Sequence, residues 1–273
     1  MLNNNLIVLG SNGMLGQMVK QYFTKIEYTV KSFDHRFKEE NHHELLAELN
    51  NYSDSYIVNC IGKIKQKKTD TNELLFSNAI LPLELKRSLK SNHILIHPST
   101  DCVFDGLEDG FYNVNHPHTA IDTYGWSKSL GESAVRSRPN SFILRVSIVG
   151  PDEYTTKGLL SWFLSHKSQS EVNGYTNHFW NGITTLEWCK RLHEIINSKQ
   201  SLTDILKKKV VQLGTNEVYS KNEMLNLFQK TFNTDFVIKP FKTNKINRCL
   251  RPMIISKPLD IQLMELHSFI MKG

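Results

Sequence analysis

A parallel, doubly wound α/β sheet followed by a smaller C-terminal lobe is the fold that this 273-residue chain predicts. Two observations predict it. Short apolar runs alternate with amphipathic stretches through residues 1–150, and alternating strand and helix signals build a parallel sheet. A glycine trio, Gly10, Gly13 and Gly16, directly follows the first apolar run, at the hand-over from strand to helix.

The elements follow in order. Apolar, β-branched and aromatic runs at Leu6–Leu9, Tyr28–Phe33, Tyr56–Asn59, His93–His97 and Ser141–Val146 predict strands. Between them, apolar residues at three- and four-residue spacing predict helices over Met14–Phe23, Glu44–Leu49 and Ile80–Lys90. From about Gly150 the alternation loosens. Leu159–His166, Leu186–Asn197 and Asn222–Phe232 read as helices, and Val210–Leu213 as a short strand closed by Gly214. After Arg251-Pro252 come a short loop and one last helix. The expected division is 1–150 and 151–273, with room for the chain to cross back.

Apolar residues make up 40% and charged residues 22%, ordinary for a globular protein. No apolar run approaches the roughly 18–20 residues of a membrane span, and the N-terminus lacks a signal-peptide pattern. The expected location is cytoplasmic, with no membrane partner. Cys60, Cys102, Cys189 and Cys249 show neither metal spacing nor pairing, so reduced thiols and no metal site are expected. Net charge is +6, but the lysines are scattered and no aromatic-basic stripe accompanies them, so no nucleic-acid partner is expected. A mildly basic cleft suits a diphosphate-bearing ligand.

In the glycine loop, the first glycine permits a tight turn. The second lets backbone approach a pyrophosphate seated on the helix N-terminus, and the third allows close helix–strand packing. A Rossmann-type dinucleotide site follows. Asp34, at the end of the second strand, can accept from the adenosine ribose and so favours NADH. Arg36 can instead hold the 2′-phosphate of NADPH. The two pull in opposite directions, and both cofactors stay open. Asn59-Cys60-Ile61-Gly62 ends the third strand beside the expected dinucleotide. Asn78 falls in a helical region, where it can bond backbone and help position Lys128, with an exposed mid-helix residue as the alternative.

Tyr124 and Lys128 are four apart and share one helix face. An ammonium there can lower a phenol's pKa, which suits a proton donor working beside a hydride donor. Ser99-Thr100-Asp101-Cys102-Val103-Phe104-Asp105-Gly106 follows the fourth strand, and hydroxyls at that strand end can hold a ketone oxygen.

The glycine loop, Ser99–Gly106 and Tyr124-Gly125-Trp126-Ser127-Lys128 with Gly131-Glu132 together resemble the extended short-chain dehydrogenase/reductases. More narrowly, they resemble the dTDP-4-dehydrorhamnose reductase group. The resemblance implies Thr100, Tyr124 and Lys128 as the catalytic set. It also implies a cofactor site of Gly10, Asn12, Gly13, Met14, Asp34, Cys60, Ile61, Gly62, Tyr124 and Lys128, beside the loop's Gly16 and the Arg36 alternative. Substrate contacts are expected at Thr100, Cys102, Trp162, Trp180, Asn181 and Arg251, with inter-lobe packing as the alternative for both tryptophans. The implied activity is reduction of the 4-keto group of a nucleotide-linked 4-keto-6-deoxy sugar by NADPH or NADH, for glycan precursor synthesis. Cys102 leaves a 3,5-epimerase/4-reductase open, with His166 or Lys167 as its expected partner. A non-catalytic dinucleotide-binding subunit is the reading of another class, and a homodimer stays open.

Overall fold

The computed structural model describes residues 4–33, 37–38, 40–64, 70–152 and 158–272. Five strands form in the first half: β1 (Asn5–Leu9), β2 (Thr29–Phe33), β3 (Tyr56–Asn59), β4 (Ile94–Ser99) and β5 (Ser141–Arg145). They join Val210–Gly214 and Ile254–Ile255 in one seven-stranded sheet. Its order is Ile254–Ile255, Val210–Gly214, β5, β4, β3, β1, β2, and every pairing is parallel. The Rossmann-type α/β fold is therefore as expected. The chain crosses back: two sheet strands come from beyond residue 150.

Side-chain alternation along β1 shows how the two faces form. Leu6 and Val8 join a core with α1 (Met14–Lys25) and the helix Thr185–Asn197. Ile7 and Leu9 join a second core with α2 (His42–Leu49), α4 (Leu81–Ser88) and α5 (Thr123–Arg136). Buried on both faces, β1 and β3 read as nearly continuous apolar runs, as parallel strands do.

The strand order reverses between β1 and β3, and ligands of open α/β sheets bind in the crevice outside the strand ends at such a point. Gly10 follows β1 and Cys60 follows β3, so the glycine loop and the Cys60–Gly62 segment meet there.

The expected helix Ile80–Lys90 is longer and segmented. It begins at α3 (Thr71–Leu75), capped by Asp70, passes through a wide π turn at Phe76–Ile80 and continues as α4. The helix Lys199–Lys208 was not anticipated. Its last turn carries Lys207 and Lys208, where cations complement the helix dipole, and Lys209 ends it at φ 68°. Smaller sheets complete the C-terminal part. Glu171–Tyr175 pairs with Val237–Phe241, and His178–Trp180 pairs with Tyr219–Ser220 and Ile246–Asn247.

Candidate active site

A cleft of about 970 Å³ opens over the sheet at the crossover point. Asn12, Gly13, Met14, Cys60, Ile61, Gly62, Thr100, Cys102, Tyr124 and Lys128 all line it.

The glycine loop is built by close contacts. Gly10 has φ 73°, and a Cβ there would meet the Ile61 side chain at 2.9 Å. A Cβ on Gly16 would lie 2.1 Å from the Gly10 carbonyl oxygen, so α1 can start this close to β1 only with glycine. Gly13 differs: its Cβ would meet only the Gly10 oxygen, at 3.5 Å. Gly13 caps α1 without a side-chain bond and lines the cleft, leaving backbone free to approach an anion at the helix start. These are the contacts a pyrophosphate cradle requires.

Asn78 locks the opposite wall. Its side chain donates to the Lys63 carbonyl (2.8 Å) and to Ser127 Oγ (3.0 Å), and accepts from the Lys63 N–H (2.9 Å). The loop after β3 is thereby tied to α5. The π turn brings the Asn78 backbone so near α5 that a Cβ on Gly131 would lie 2.2 Å from its carbonyl oxygen.

Tyr124 stands in the first turn of α5, which Asp122 caps by accepting from the Gly125 N–H (2.9 Å). Burial, then the neighbouring Cys102, raises the phenol's pKa above 10, while the Thr100 hydroxyl offsets part of that shift. Tyr124 is therefore protonated at neutral pH. Lys128, one turn on, is buried and donates to the Pro98 carbonyl (2.8 Å). Burial lowers its pKa from 10.5 to about 8, against the opposing pull of Glu132 and Cys60. The spacing predicts that Lys128 lowers the Tyr124 pKa. Here the ammonium is engaged by Pro98 and acts on Cys60 and His97, and the phenol is held high.

Thr100 donates to Asp101 Oδ1 (3.0 Å) and accepts from the Cys102 N–H (3.1 Å). Burial raises the Cys102 pKa to about 12, and Arg248 Nη1 lies 3.7 Å from its sulfur. Lys221 and Arg248, which nothing in the sequence announces, stand at this end with Asp101 of the Ser99–Gly106 motif. Lys221 lines the cleft and interacts with Asp101 and Cys102. It starts a helix some 120 residues away in the chain, so no local spacing announces it.

The remaining expected contacts sit elsewhere. Trp162, Trp180, Asn181 and Arg251 do not line the cleft. Trp162 packs edge-on against His166 (centroids 4.7 Å apart). Trp180 packs against the core, over Gly182. Asn181 is buried and fully bonded: it donates to Leu250 O (2.7 Å) and Thr215 O (3.1 Å) and accepts from the Leu250 N–H (2.9 Å). Arg251 is exposed. His166 is bonded to the carbonyl of Trp162, its ring nitrogen 2.9 Å away, so Lys221 takes the place beside Cys102 expected of His166 or Lys167. Asp34 and Arg36 lie outside the described residues. Among the described residues, no helix is long and apolar enough to cross a membrane.

Known proteins match this architecture. Two solved dTDP-4-dehydrorhamnose reductases superpose over nearly the whole chain. That of Clostridium acetobutylicum has a TM-score of 0.82 at 17% identity, covering 98% of this chain and 99% of its own. That of Bacillus anthracis, in complex with NADP, has a TM-score of 0.81 at 17% identity, covering 100% of both chains. At such identity they speak for the fold. A probable low-salt glycan biosynthesis reductase, Agl14 of Haloferax volcanii, is 31% identical over 157 residues, 52% of each chain. A dTDP-4-dehydrorhamnose reductase of Aggregatibacter actinomycetemcomitans is 28% identical over 156 residues, 52% of this chain and 50% of its own. The chain spans about half the length of the curated relatives it matches. The sequence model of the RmlD substrate binding domain matches residues 4–251, and the chain belongs to that family.

Proposed function

We propose that this protein is an NAD(P)H-dependent reductase of the 4-keto group of a nucleotide-linked 4-keto-6-deoxy sugar, working in the cytoplasm in glycan precursor synthesis. The observation that carries the reading is the meeting of Thr100, Tyr124 and Lys128 with the glycine loop in one cleft. The relatives named as sugar-nucleotide and glycan reductases support it. Residues 1–150 supply most of the dinucleotide site, and residues 151–273 supply the sugar-nucleotide side while also completing the sheet.

The nicotinamide group would supply the hydride. Gly10, Asn12, Gly13 and Met14 would cradle its pyrophosphate at the start of α1, with Cys60, Ile61 and Gly62 on the facing wall. Tyr124, half-buried and protonated at neutral pH, gives its proton to the oxygen of the former ketone. General acid catalysis of this kind contributes roughly 10²–10⁴ in rate. Thr100 orients that oxygen. Lys128 lines the cleft and would hold its positive charge beside the nicotinamide ribose. The choice between NADPH and NADH rests on Asp34 and Arg36.

A base at Cys102 would favour the epimerase-reductase, but burial holds the group as a thiol, its pKa about 12, which favours the simple reductase. The test is oxidation of NADPH and NADH with dTDP-, UDP-, GDP- and CDP-linked 4-keto-6-deoxy sugars, with the product sugar identified. Reduction at carbon 4 of at least one is expected. Cofactor binding with no oxidation on the whole panel would overturn the reading in favour of a non-catalytic subunit.

A further inference from the structure

Glu132 lies one helical turn beyond Lys128 on α5, on the same face. Glu132 is 3% exposed and Lys128 7%. The Glu132 carboxylate takes a forked bond from Arg145 on β5, Nε to Oε1 at 2.9 Å and Nη2 to Oε2 at 2.6 Å. Arg145 is itself 2% exposed. Its Nη1 donates to Gln212 Oε1 (2.9 Å), and its Nη2 lies 2.8 Å from His118 Nε2. Gln212 in turn donates to the carbonyls of Tyr112 and Arg251, both at 2.9 Å. Neighbours on four segments thus fix the orientation of one carboxylate beneath the cleft.

Among the described residues, the titratable groups on the elements packed around Lys128 are few, and their charges can be assigned. On α5 are Tyr124, protonated, and Glu132, whose pKa Arg145 holds down against its burial. At the end of β3 is Cys60, kept a thiol by burial. On β4 is His97, kept neutral by burial and by Lys128 itself. Behind Glu132 stand Arg145 and His118; burial keeps His118 neutral. Two buried cations, Lys128 and Arg145, therefore share one buried anion. A buried ammonium without a counter-charge gives up its proton.

We propose that Glu132 is a positioning residue that keeps Lys128 protonated in the pH range where the cleft works, with Arg145 setting the strength of that effect. Its value to turnover rests on the reading of Lys128 as the cation that contacts the cofactor; the charge coupling itself does not. Arg145 orients the carboxylate and also cancels part of its field, so the two substitutions have different consequences. Glu132→Gln leaves two buried cations with no anion. The double variant Glu132→Gln with Arg145→Gln removes one charge of each sign, and of the two it is the anion that acts on Lys128.

The experiment is competitive acylation of the Lys128 amine in the full chain, followed by peptide mass spectrometry from about pH 6 to about pH 10, a span that brackets its shifted titration. It requires neither cofactor nor sugar. Glu132→Gln should lower the labelling midpoint by about one pH unit, a tenfold loss of proton affinity. The double variant should lower it by less, and Glu132→Asp should recover part of the wild-type value. The pH dependence of NADPH affinity, measured in parallel, should shift with the midpoint. An unchanged midpoint in folded Glu132→Gln overturns the proposal. If that variant does not fold, an unchanged midpoint in the double variant overturns it equally. A shifted midpoint with an unmoved NADPH profile upholds the coupling and rejects the cofactor role of Lys128 instead.

Discussion

The walls of the cleft come from two parts of the chain that contribute unequally. Residues before Gly150 provide the glycine loop, the end of β3, the Asn78 clamp, Thr100 and the Tyr124–Lys128 face. Among the described residues after it, only Asp152, Gly158, Leu159 and Lys221 reach the lining. In the first part, each functional side chain sits at a strand end or within one or two turns of a helix start. Its position follows from short-range geometry. In the second part, contacts with the cleft are made by single residues carried in on long-range packing. The chemistry is thus expected to fail sharply when the first part is altered. Outside the residues that reach the lining, the second part should answer mainly through stability.

The largest effect belongs to Tyr124. Tyr124→Phe removes a proton and little volume, so cofactor affinity should be retained while turnover falls by about 10²–10⁴. Steady-state kinetics beside a cofactor titration checks this. Turnover within a few-fold of wild type would remove the first part's claim to the chemistry.

Next come two glycines only three residues apart. A methyl on Gly16 would stand 2.1 Å from the Gly10 carbonyl oxygen, so backbone must move. Gly16→Ala should lose about 1–3 kcal/mol by overpacking and cofactor affinity with it. Gly13→Ala meets only an ordinary contact at 3.5 Å, and Gly13 has φ −86°. It should melt near wild type yet bind the cofactor more weakly, because its methyl projects where the pyrophosphate would lie. Thermal melting and cofactor titration on both variants separate packing from binding. Equal behaviour of the two would mean the cradle is misassigned.

That contrast also marks how much was legible in the sequence. The first-half strands fall within two residues of their expected bounds, and for β1 and β3 burial on both faces leaves a nearly continuous apolar run. The Gly10–Gly16 trio and the Tyr124–Lys128 spacing encode local geometry, and the structure gathers both in one cleft. From the sequence, Asn78 reads as a helical residue able to bond backbone and help position Lys128, or as an exposed one. Its clamp depends on a π turn that shifts the helix register, which no periodicity of 3.6 anticipates. Lys221 and Arg248 were invisible because separate excursions of the C-terminal chain bring them to Cys102. Asn181 stood out by resemblance, yet its amide is spent on Thr215 and Leu250.

Asn181 and Arg251 test the second part directly. Asn181→Ala strands several buried backbone groups, so it should cost about 2 kcal/mol or more in stability. Its KM for the sugar nucleotide should change little at temperatures well below melting. Arg251→Ala removes an exposed side chain outside the cleft lining and should change neither quantity measurably. A large rise in KM for either variant, at unaltered melting temperature, would restore that residue to the substrate site.

The smallest effect on turnover among the residues lining the cleft is expected at Cys102, where the two parts meet. Its thiol is held at a pKa of about 12 by burial and by Asp101, with Arg248 only partly opposing. At neutral pH the thiolate fraction is therefore far below that of an ordinary cysteine, and a thiolate is the form that abstracts protons. Cys102→Ser fits a similar volume and should leave turnover within a few-fold of wild type. Turnover in deuterium oxide should place no carbon-bound deuterium at carbon 3 or carbon 5 of the sugar. Deuterium that enters there in wild type and vanishes in Cys102→Ser would show that bound substrate, with Lys221 and Arg248 alongside, reverses the burial effect and ionises the thiol. The second part would then supply chemistry as well as shape.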